Sequence, residues 1–182
     1  MTSVTSLPQS RPLTADDLAT MPDDGHRYEL IDGALIVTPA PARRHQRMVG
    51  ELHLLLRASC PPELEVLLAP YDVRLADDTV LQPDLLVARR ADTTERNLPL
   101  APLLAVEVLS PSTRHIDLSL KRARYEAAGC ASYWVLDPAS PSLVAWELRG
   151  REYVEVARVN GVESFDAERP FQLHLVPSLL LG

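Results

Sequence analysis

Apolar residues along the chain follow two periods, one typical of strands and one typical of helices. Near the N-terminus two runs, "RYELI" and "ALIVT", alternate apolar and polar positions and flank the pair Asp32 and Gly33. An Asp-Gly pair between alternating runs predicts a β-hairpin with a two-residue loop. Before it, "LTADDLATMP" predicts a short helix with Thr14 and Asp17 spaced as a capping box.

The helical period appears in two longer segments. One predicted helix runs from about Arg43 to Ser59, where apolar or ambivalent residues recur on one face and "PP" follows. That face comprises His45, Val49, Leu52 and Leu56. A second is predicted from about Arg114 to Ala128, ending at Gly129, which suits a left-handed stop. Its apolar stripe, expected to face a sheet, is Ile116, Leu120, Ala123 and Ala127.

Short apolar runs complete the pattern as strands. "LEVLLA", "YDVRLA" and "QPDLLVA" predict three strands, and "LLAVEVL" predicts one buried on both faces near the middle of a sheet. "SYWVLD", "SLVAWEL" and "EYVEVARV" are expected as central, middle and edge strands. The fold class is therefore α/β: a central mixed β-sheet flanked by helices, with an extra N-terminal hairpin and extra C-terminal strands.

Composition narrows the class of protein. The 182 residues are 46% hydrophobic and 24% charged, which is typical of a globular protein. We expect a flexible tail over residues 1–12 and a single domain over residues 13–182. No signal peptide and no run of membrane-spanning length is seen, so a cytoplasmic protein with no membrane partner is expected. Cys60 and Cys130 lack a CxxC partner and are interpreted as small buried hydrophobes.

Two carboxylates interrupt the apolar runs. Asp84 in "QPDLLVARR" and Glu107 in "LLAVEVLSPST" lie where a buried strand is predicted. Removing water from a carboxylate costs several kcal/mol, on the order of 5, unless a cation or a set of hydrogen-bond donors compensates it. Hard ions such as Mg²⁺ are commonly held by one or two carboxylates. The pattern therefore raises the hypothesis of a metal site for phosphodiester chemistry.

These residues carry a resemblance. "QPDLLVARR" followed by "LLAVEVLSPSTRHIDLSLKRARYEAAGCASYWVLDP" resembles the PD-(D/E)xK nuclease superfamily and, more narrowly, the bacterial Uma-two family of restriction-endonuclease-like proteins. "YELIDGALIVTPAP" and "RRHQRMVGEL" fit the same family, so the resemblance covers roughly residues 13 to 158. It implies a restriction-endonuclease-like fold.

The resemblance also implies a site. Asp84 and Glu107 would bind Mg²⁺ or Mn²⁺, and the backbone carbonyl of Val108 would complete the protein's ligands. Glu29 matches an additional acidic position of the family, and His45 matches its helix histidine. From the residues alone, Glu29 could be an outward hairpin residue and His45 a hydrogen-bonded core histidine.

One position departs from the superfamily pattern. The expected lysine two residues after the glutamate falls on Leu109. Lys121 is the only lysine of the chain and is the candidate substitute, with Asp117 and Tyr125 four residues to either side. A compact ammonium orients water differently from guanidinium. The alternative is an exposed helical pair of Lys121 with Asp117.

The net charge of the chain limits how it could bind nucleic acid. The net charge of −7 argues against a grip on nucleic acid by the whole surface, but not against a local basic face. Arg43, Arg44 and Arg114 are the candidate phosphate contacts; solvated helix faces are the alternative.

The leading hypothesis is a metal-dependent endonuclease that hydrolyses DNA phosphodiesters, catalysed by Asp84, Glu107, Lys121, Glu29 and His45. It would act as a C2 homodimer, because cutting both strands of a duplex usually needs two sites. A catalytically degenerate nucleic-acid-binding or protein-interaction module that retains the fold is the alternative. A hydrolase of small phosphodiesters is a third option.

Overall fold

The computed structural model describes residues 11–22 and 24–182. Most of the flexible tail predicted for residues 1–12 lies outside the described residues; its last two residues, Arg11 and Pro12, are exposed. The division into a tail and a single domain over residues 13–182 stays a prediction.

The described residues form thirteen strands and four α-helices. The strands are β1 (Arg27–Ile31), β2 (Ala34–Thr38), β3 (Leu64–Leu68), β4 (Asp72–Ala76), β5 (Thr79–Leu81), β6 (Leu85–Arg89), β7 (Asn97–Leu98), β8 (Leu104–Val108), β9 (Ser132–Asp137), β10 (Ser142–Arg149), β11 (Glu152–Asn160), β12 (Phe165–Ala167) and β13 (Leu173–Leu175). The α-helices are α1 (Ala15–Leu18), α2 (Arg43–Ser59), α3 (Arg114–Ile116) and α4 (Arg122–Ala127). Short 3₁₀ turns cover Arg90–Asp92 and Pro177–Leu181.

A six-stranded mixed sheet lies at the centre, in the order β11-β10-β9-β8-β6-β3. β8 runs parallel to β9 and antiparallel to β6, and the other neighbouring pairs are antiparallel. All five residues of β8 are buried, as its nearly continuous apolar sequence predicted. The predicted α/β fold class and the central, middle and edge places of β9, β10 and β11 are confirmed.

Each face of this sheet has its own hydrophobic core. Leu104, Val106 and Val108 of β8 pack on the side covered by α2. Ala105 and Leu109 pack on the other side, together with Tyr125 of α4. Because side chains alternate along a strand, Glu107 points to this second side, towards the helix that carries Lys121.

The N-terminal hairpin forms as predicted and joins a second sheet of order β2-β1-β5-β4-β7. Asp32 and Gly33 both have positive φ, 54° and 75°, as a type I′ loop requires. A Cβ on Gly33 would lie 2.3 Å from Cβ of Pro12, so the position also needs glycine for space. The expected Asp17 hydrogen bond to the Thr14 backbone N–H is present at 2.8 Å.

The strand predicted over "QPDLLVA" forms only from Leu85 onward, as β6, and the prediction is wrong for residues 82–84. The preceding Thr79–Leu81 segment pairs with β4 and β1 in the smaller sheet, and Leu85–Arg89 pairs with β3 and β8 in the larger sheet. Residues 82–84 form the crossing between the two sheets, where Pro83 has no N–H to donate to a strand ladder.

The helix predicted over residues 114–128 forms with an unexpected interruption. Asp117–Lys121 form a π-turn between α3 and α4. The expected sheet-facing stripe is wrong: Leu120 is 44% exposed, and Ala123 and Ala127 are also exposed. The buried side chains are instead Asp117, Lys121 and Tyr125.

The two cysteines are free. Cys130 is buried as expected, and burial raises the pKa of its thiol to about 12. Cys60 is half-buried.

Candidate functional site

Asp84 lies in the bend immediately before β6 and accepts hydrogen bonds from three directions. Its Oδ2 atom accepts from the backbone N–H of Val108 at 2.9 Å and lies 3.1 Å from Nε2 of His45. Its Oδ1 atom accepts from Arg27 at 3.1 Å. The crossing between the sheets therefore fixes Asp84 against the end of β8, and α2 contributes His45.

Glu107 belongs to a second group of charges centred on Lys121. The Lys121 Nζ atom lies 2.8 Å from Oε1 of Glu29, 3.1 Å from Oε1 of Glu107 and 3.7 Å from Oδ1 of Asp117. Glu29 also accepts the backbone N–H of Gln82 at 2.7 Å. The prediction that Lys121 reaches inward is therefore confirmed, and the alternative of an exposed Lys121–Asp117 pair is wrong.

The π-turn places Asp117 and Lys121 on the inner face of the helix. The hydroxyl of Tyr133 donates to the backbone carbonyl of Asp117 at 2.8 Å. A side chain therefore bonds a carbonyl that in a regular helix accepts from a backbone N–H of the next turn. Thr113 donates to Oδ2 of Asp117 at 2.8 Å, which fixes the carboxylate. π-turns inside helices occur often at functional sites, and this one carries the cation of the cluster.

The buried carboxylates outnumber the permanent cations. Four carboxylates line one cavity: Glu29, Asp84, Glu107 and Asp117. Each of them is at most 4% exposed. Among the described residues of this lining, Lys121 and Arg27 carry the fixed positive charge, so the four carboxylates, if all are ionised, exceed these cations by two charges. One divalent cation would balance that excess.

The donor set is of the kind that hard cations bind. Oδ1 of Asp117 is buried and has no hydrogen-bond partner among the described residues. Within residues 11–22 and 24–182, no three His, Cys, Asp or Glu side chains are grouped to hold an ion by themselves. A two-carboxylate arrangement is nevertheless sufficient for Mg²⁺, which keeps several of its own waters.

The pKa shifts follow from burial and neighbouring charge. Burial raises the pKa of Glu107 well above 4.5 despite the opposing effect of Lys121, and it also raises the pKa of Asp117. For Asp84, burial is outweighed by His45, Arg27 and the Val108 N–H, so its pKa is lowered. Burial would lower the pKa of Lys121, but the carboxylates of Glu107 and Glu29 outweigh it and raise that pKa. The carboxylates of Glu29 and Glu107 therefore favour the ammonium form of Lys121.

The structure brings together every predicted catalytic and metal-binding residue. One cavity of about 160 Å³ is lined by Glu29, His45, Asp84, Glu107, Val108 and Lys121. Their roles in catalysis and metal binding stay predictions.

Sequence reasoning missed two members of the site, Arg27 and Asp117, as functional residues. Arg27 precedes Glu29 by two positions in β1, so strand alternation places both on one face, a signal that was available. Asp117 was recognised only as a helical neighbour of Lys121. Its burial was not predicted, because the neighbouring apolar stripe was expected to face the sheet.

The predicted phosphate contacts lie outside this cavity. Arg43 and Arg44 are exposed in the first turn of α2, and with Arg47 they line a separate surface depression. Arg114 is exposed at the start of α3 and pairs with Asp137. Their contact with nucleic acid stays a prediction.

Comparison with known proteins identifies the family and the fold. A family model, Uma2 (Uma-two), described as "Putative restriction endonuclease", matches residues 15–179. The fold is similar to the crystal structure of a protein described as "a putative nuclease belonging to DUF820" from Anabaena variabilis ATCC 29413. The TM-score is 0.77 at 19% identity, and the match covers 93% of this chain and 98% of the other. No curated protein matches the sequence. No described helix is long and apolar enough to cross a membrane.

Proposed function

From the premise that the chain belongs to the Uma2 family of restriction-endonuclease-like nucleases, we propose that it hydrolyses DNA phosphodiesters with Mg²⁺ or Mn²⁺. The observation that carries the proposal is the buried cluster in which four carboxylates, if ionised, exceed the fixed cations by two charges. A cluster with that imbalance is costly unless a divalent ion joins it. The proposal therefore accounts for carboxylates that the fold alone does not require.

Asp84, Glu107 and the backbone carbonyl of Val108 would hold the ion. When bound, it would lower the pKa of a water molecule and neutralise charge on the phosphate. His45 and Arg27 act on Asp84: their hydrogen bonds fix its two oxygens and keep it ionised. They are positioning residues in this scheme.

Lys121 would act as a fixed positive charge and not as a base, because its neighbours hold it protonated. Glu29 and Glu107 fix the Nζ atom from two sides, so the ammonium is preorganised before a phosphate arrives. Preorganised charge of this kind stabilises the developing negative charge of a phosphoryl transition state.

A C2 homodimer and action in the cytoplasm are part of the same proposal. Each chain carries one cluster, and cleavage of both strands of a duplex by two symmetric sites requires two copies. Arg43, Arg44 and Arg114 would contact the phosphates on either side of the cleaved bond.

One observation favours the alternative of a degenerate binding module. Every carboxylate that would hold the ion already contacts a cation: Asp84 pairs with Arg27, and Glu107 pairs with Lys121. A site that had lost its ion could be stabilised in this way. Activity measurements distinguish the two functions.

The test is cleavage of labelled DNA in Mn²⁺ by wild type and by Asp84→Asn. We expect cleavage by wild type and a loss of at least about 100-fold in Asp84→Asn, the scale for removing one key electrostatic group. Asp72→Asn is the control, because Asp72 is a half-buried carboxylate that accepts a hydrogen bond from the Gln82 amide and does not line the cavity. Equal inactivity of wild type and Asp84→Asn would favour the binding module.

A further inference from the structure

A second, larger cavity adjoins the site. It has a volume of about 520 Å³, and we call it the outer cavity; the 160 Å³ space between the carboxylates is the inner cavity. Arg27, His45 and Asp84 line both, as does the segment 38–41 after β2. A ligand seated on the carboxylate cluster could therefore extend directly into the outer cavity.

The two cavities suit different parts of a substrate. The inner cavity has room for about five waters, enough for a hydrated ion or for part of one phosphate group. The outer cavity falls within the range of roughly 300 to 1,000 Å³ of small-molecule sites. Only the outer cavity can therefore hold a nucleoside-sized group.

The lining of the outer cavity indicates a neutral, planar group. Among its described residues the fixed charges are Arg27 and Asp84, and these pair with each other. No fixed cation of the described lining is left for a phosphate. The amide of Gln46 is exposed and has no hydrogen-bond partner within the described residues, so it can donate and accept at once. His26 adds an imidazole ring to the wall.

Gly50 gives a separate indication that the outer cavity accommodates a ligand. It lies inside α2, on the cavity wall one turn after Gln46, where glycine destabilises a helix relative to alanine. A Cβ at this position would meet no atom within 4 Å, so the described packing does not require glycine. Its absent side chain instead leaves the cavity wide where a base would enter.

We infer that the outer cavity is a subsite for one unpaired nucleobase next to the scissile phosphate. The inference rests on the proposed nuclease function and specifies its substrate: single-stranded or locally unpaired DNA. A base stacked in an undistorted duplex cannot enter a cavity, and extruding it has a free-energy cost. His26 offers a ring for stacking, and Gln46 can bond a base edge.

Binding measurements test the subsite without cleavage. Three labelled 12-nucleotide probes of equal backbone length are compared by fluorescence anisotropy with Ca²⁺ in place of Mg²⁺. They are a mixed-sequence single strand, its duplex, and a strand whose residues are all abasic. The single strand and the abasic strand carry the same phosphates and differ only in their bases. Gel analysis of each probe after the measurement checks that it is intact.

We expect wild type to bind the single strand at least about tenfold more tightly than the abasic strand, because one stacked base contributes that much. Gly50→Leu fills the outer cavity and should abolish the difference, while its melting temperature stays equal or rises. Ala58→Leu adds the same side chain at an exposed position of α2 outside the cavity and should keep the difference. Gln46→Ala, which adds no bulk, should reduce it.

The outcomes separate the subsite from the nuclease. Equal binding of the single strand and the abasic strand by wild type would overturn the subsite, even if Mn²⁺-dependent cleavage were found. So would a difference in affinity between these two probes that is unchanged in Gly50→Leu. The expected binding in Ca²⁺ together with no cleavage in Mn²⁺ would support a base-binding cavity and contradict the proposed nuclease activity. Absence of binding to every probe would overturn the subsite.

Discussion

The Nζ atom of Lys121 lies 3.1 Å from Oε1 of Glu107, although the two residues are 14 positions apart. The superfamily lysine would lie directly after β8, at the position of Leu109, which is buried against the core. Here the ammonium comes from the facing helix.

We therefore expect Lys121→Met to reduce phosphodiester cleavage by at least about 100-fold, because a preorganised positive charge is lost. Lys121→Arg should not restore the rate, since the wider guanidinium does not fit between Glu29 and Glu107. Single-turnover cleavage in Mn²⁺ measures both. Arg124→Met is the control, because Arg124 lies on the same helix and pairs with Asp32 outside the cavity. A Lys121→Met rate equal to wild type would remove Lys121 from the mechanism.

Lys121→Met should also destabilise the ion-free protein. Three buried carboxylates would lose their shared cation, and breaking a buried ion pair in this way costs about 3 to 5 kcal/mol. Denaturant unfolding in EDTA measures the change. A loss of less than about 1 kcal/mol would show that the carboxylates are already protonated and do not need the cation.

Divalent ions should stabilise the fold. At an ion concentration 100 times the dissociation constant, binding adds about 2.7 kcal/mol to the free energy of unfolding. For a chain of this size that corresponds to a rise in Tm of roughly 5 to 10 °C. Asp84→Asn should abolish most of the rise, whereas Asp72→Asn should keep it. A Tm of wild type that does not respond to Mg²⁺ or Mn²⁺ would contradict the metal proposal.

Without an ion, stability should fall as pH rises from mildly acidic values. The pKa values of Glu107 and Asp117 are raised above 4.5 and 3.8, so between those values and the raised ones the folded protein binds more protons than the unfolded chain. The free energy of unfolding therefore decreases with pH in that interval. Asp84 has the opposite sign: its lowered pKa adds stability above 3.8, which is lost as pH falls through the folded value.

Denaturant unfolding in EDTA from pH 4 upwards, for wild type and Glu107→Gln, measures this dependence. The difference in the free energy of unfolding between the two proteins isolates the contribution of Glu107. As pH rises, Glu107→Gln should gain stability relative to wild type. Mg²⁺ should reverse the trend for wild type, since the ion binds ionised carboxylates. A difference that does not change with pH would mean that the Glu107 pKa is not raised.

The exposed arginines of α2 should determine the salt dependence of DNA binding. Arg44→Ala should lower the slope of log Kd against log salt by about 0.7 to 0.9 if Arg44 contacts one phosphate. Arg43→Ala should act similarly. Arg151→Ala is the control, because Arg151 lies in the turn between β10 and β11 and lines neither the inner nor the outer cavity. An unchanged slope in Arg44→Ala would place the phosphates elsewhere.

The sequence predicted those parts of the fold that depend on local periodicity. The hairpin around Asp32 and Gly33, helix α2 and the buried strand β8 follow directly from residue patterns. The strand expected over residues 82–88 forms only from residue 85, because residues 82–84 cross between the sheets, and pairing partners are distant in sequence. Pattern alone does not say which sheet a short apolar run joins.

The site was predictable only in part for a similar reason. Asp84 and Glu107 stood out because a carboxylate inside an apolar run needs compensation. The spacing of four predicted Asp117 beside Lys121, but the burial of Asp117 was not predicted, because the neighbouring apolar stripe with Ile116 and Leu120 was expected to face the sheet. Arg27 was overlooked since an arginine at a strand start is ordinary on a surface.

The π-turn has a consequence for how such a site could be gained or lost in a gene. Each residue added to or removed from a helix rotates everything beyond it by about 100° relative to what precedes it. Deleting one codon within 118–120, for example that of Ser119, would leave the lysine and all four carboxylates in the sequence. Lys121 and Tyr125 both follow the deletion and keep their spacing of four, so we expect them to turn together and to lose their alignment with Asp117 and Thr113. Part of the information for this site is therefore a residue count, which is inherited through insertions and deletions and is invisible to a comparison of residue identities.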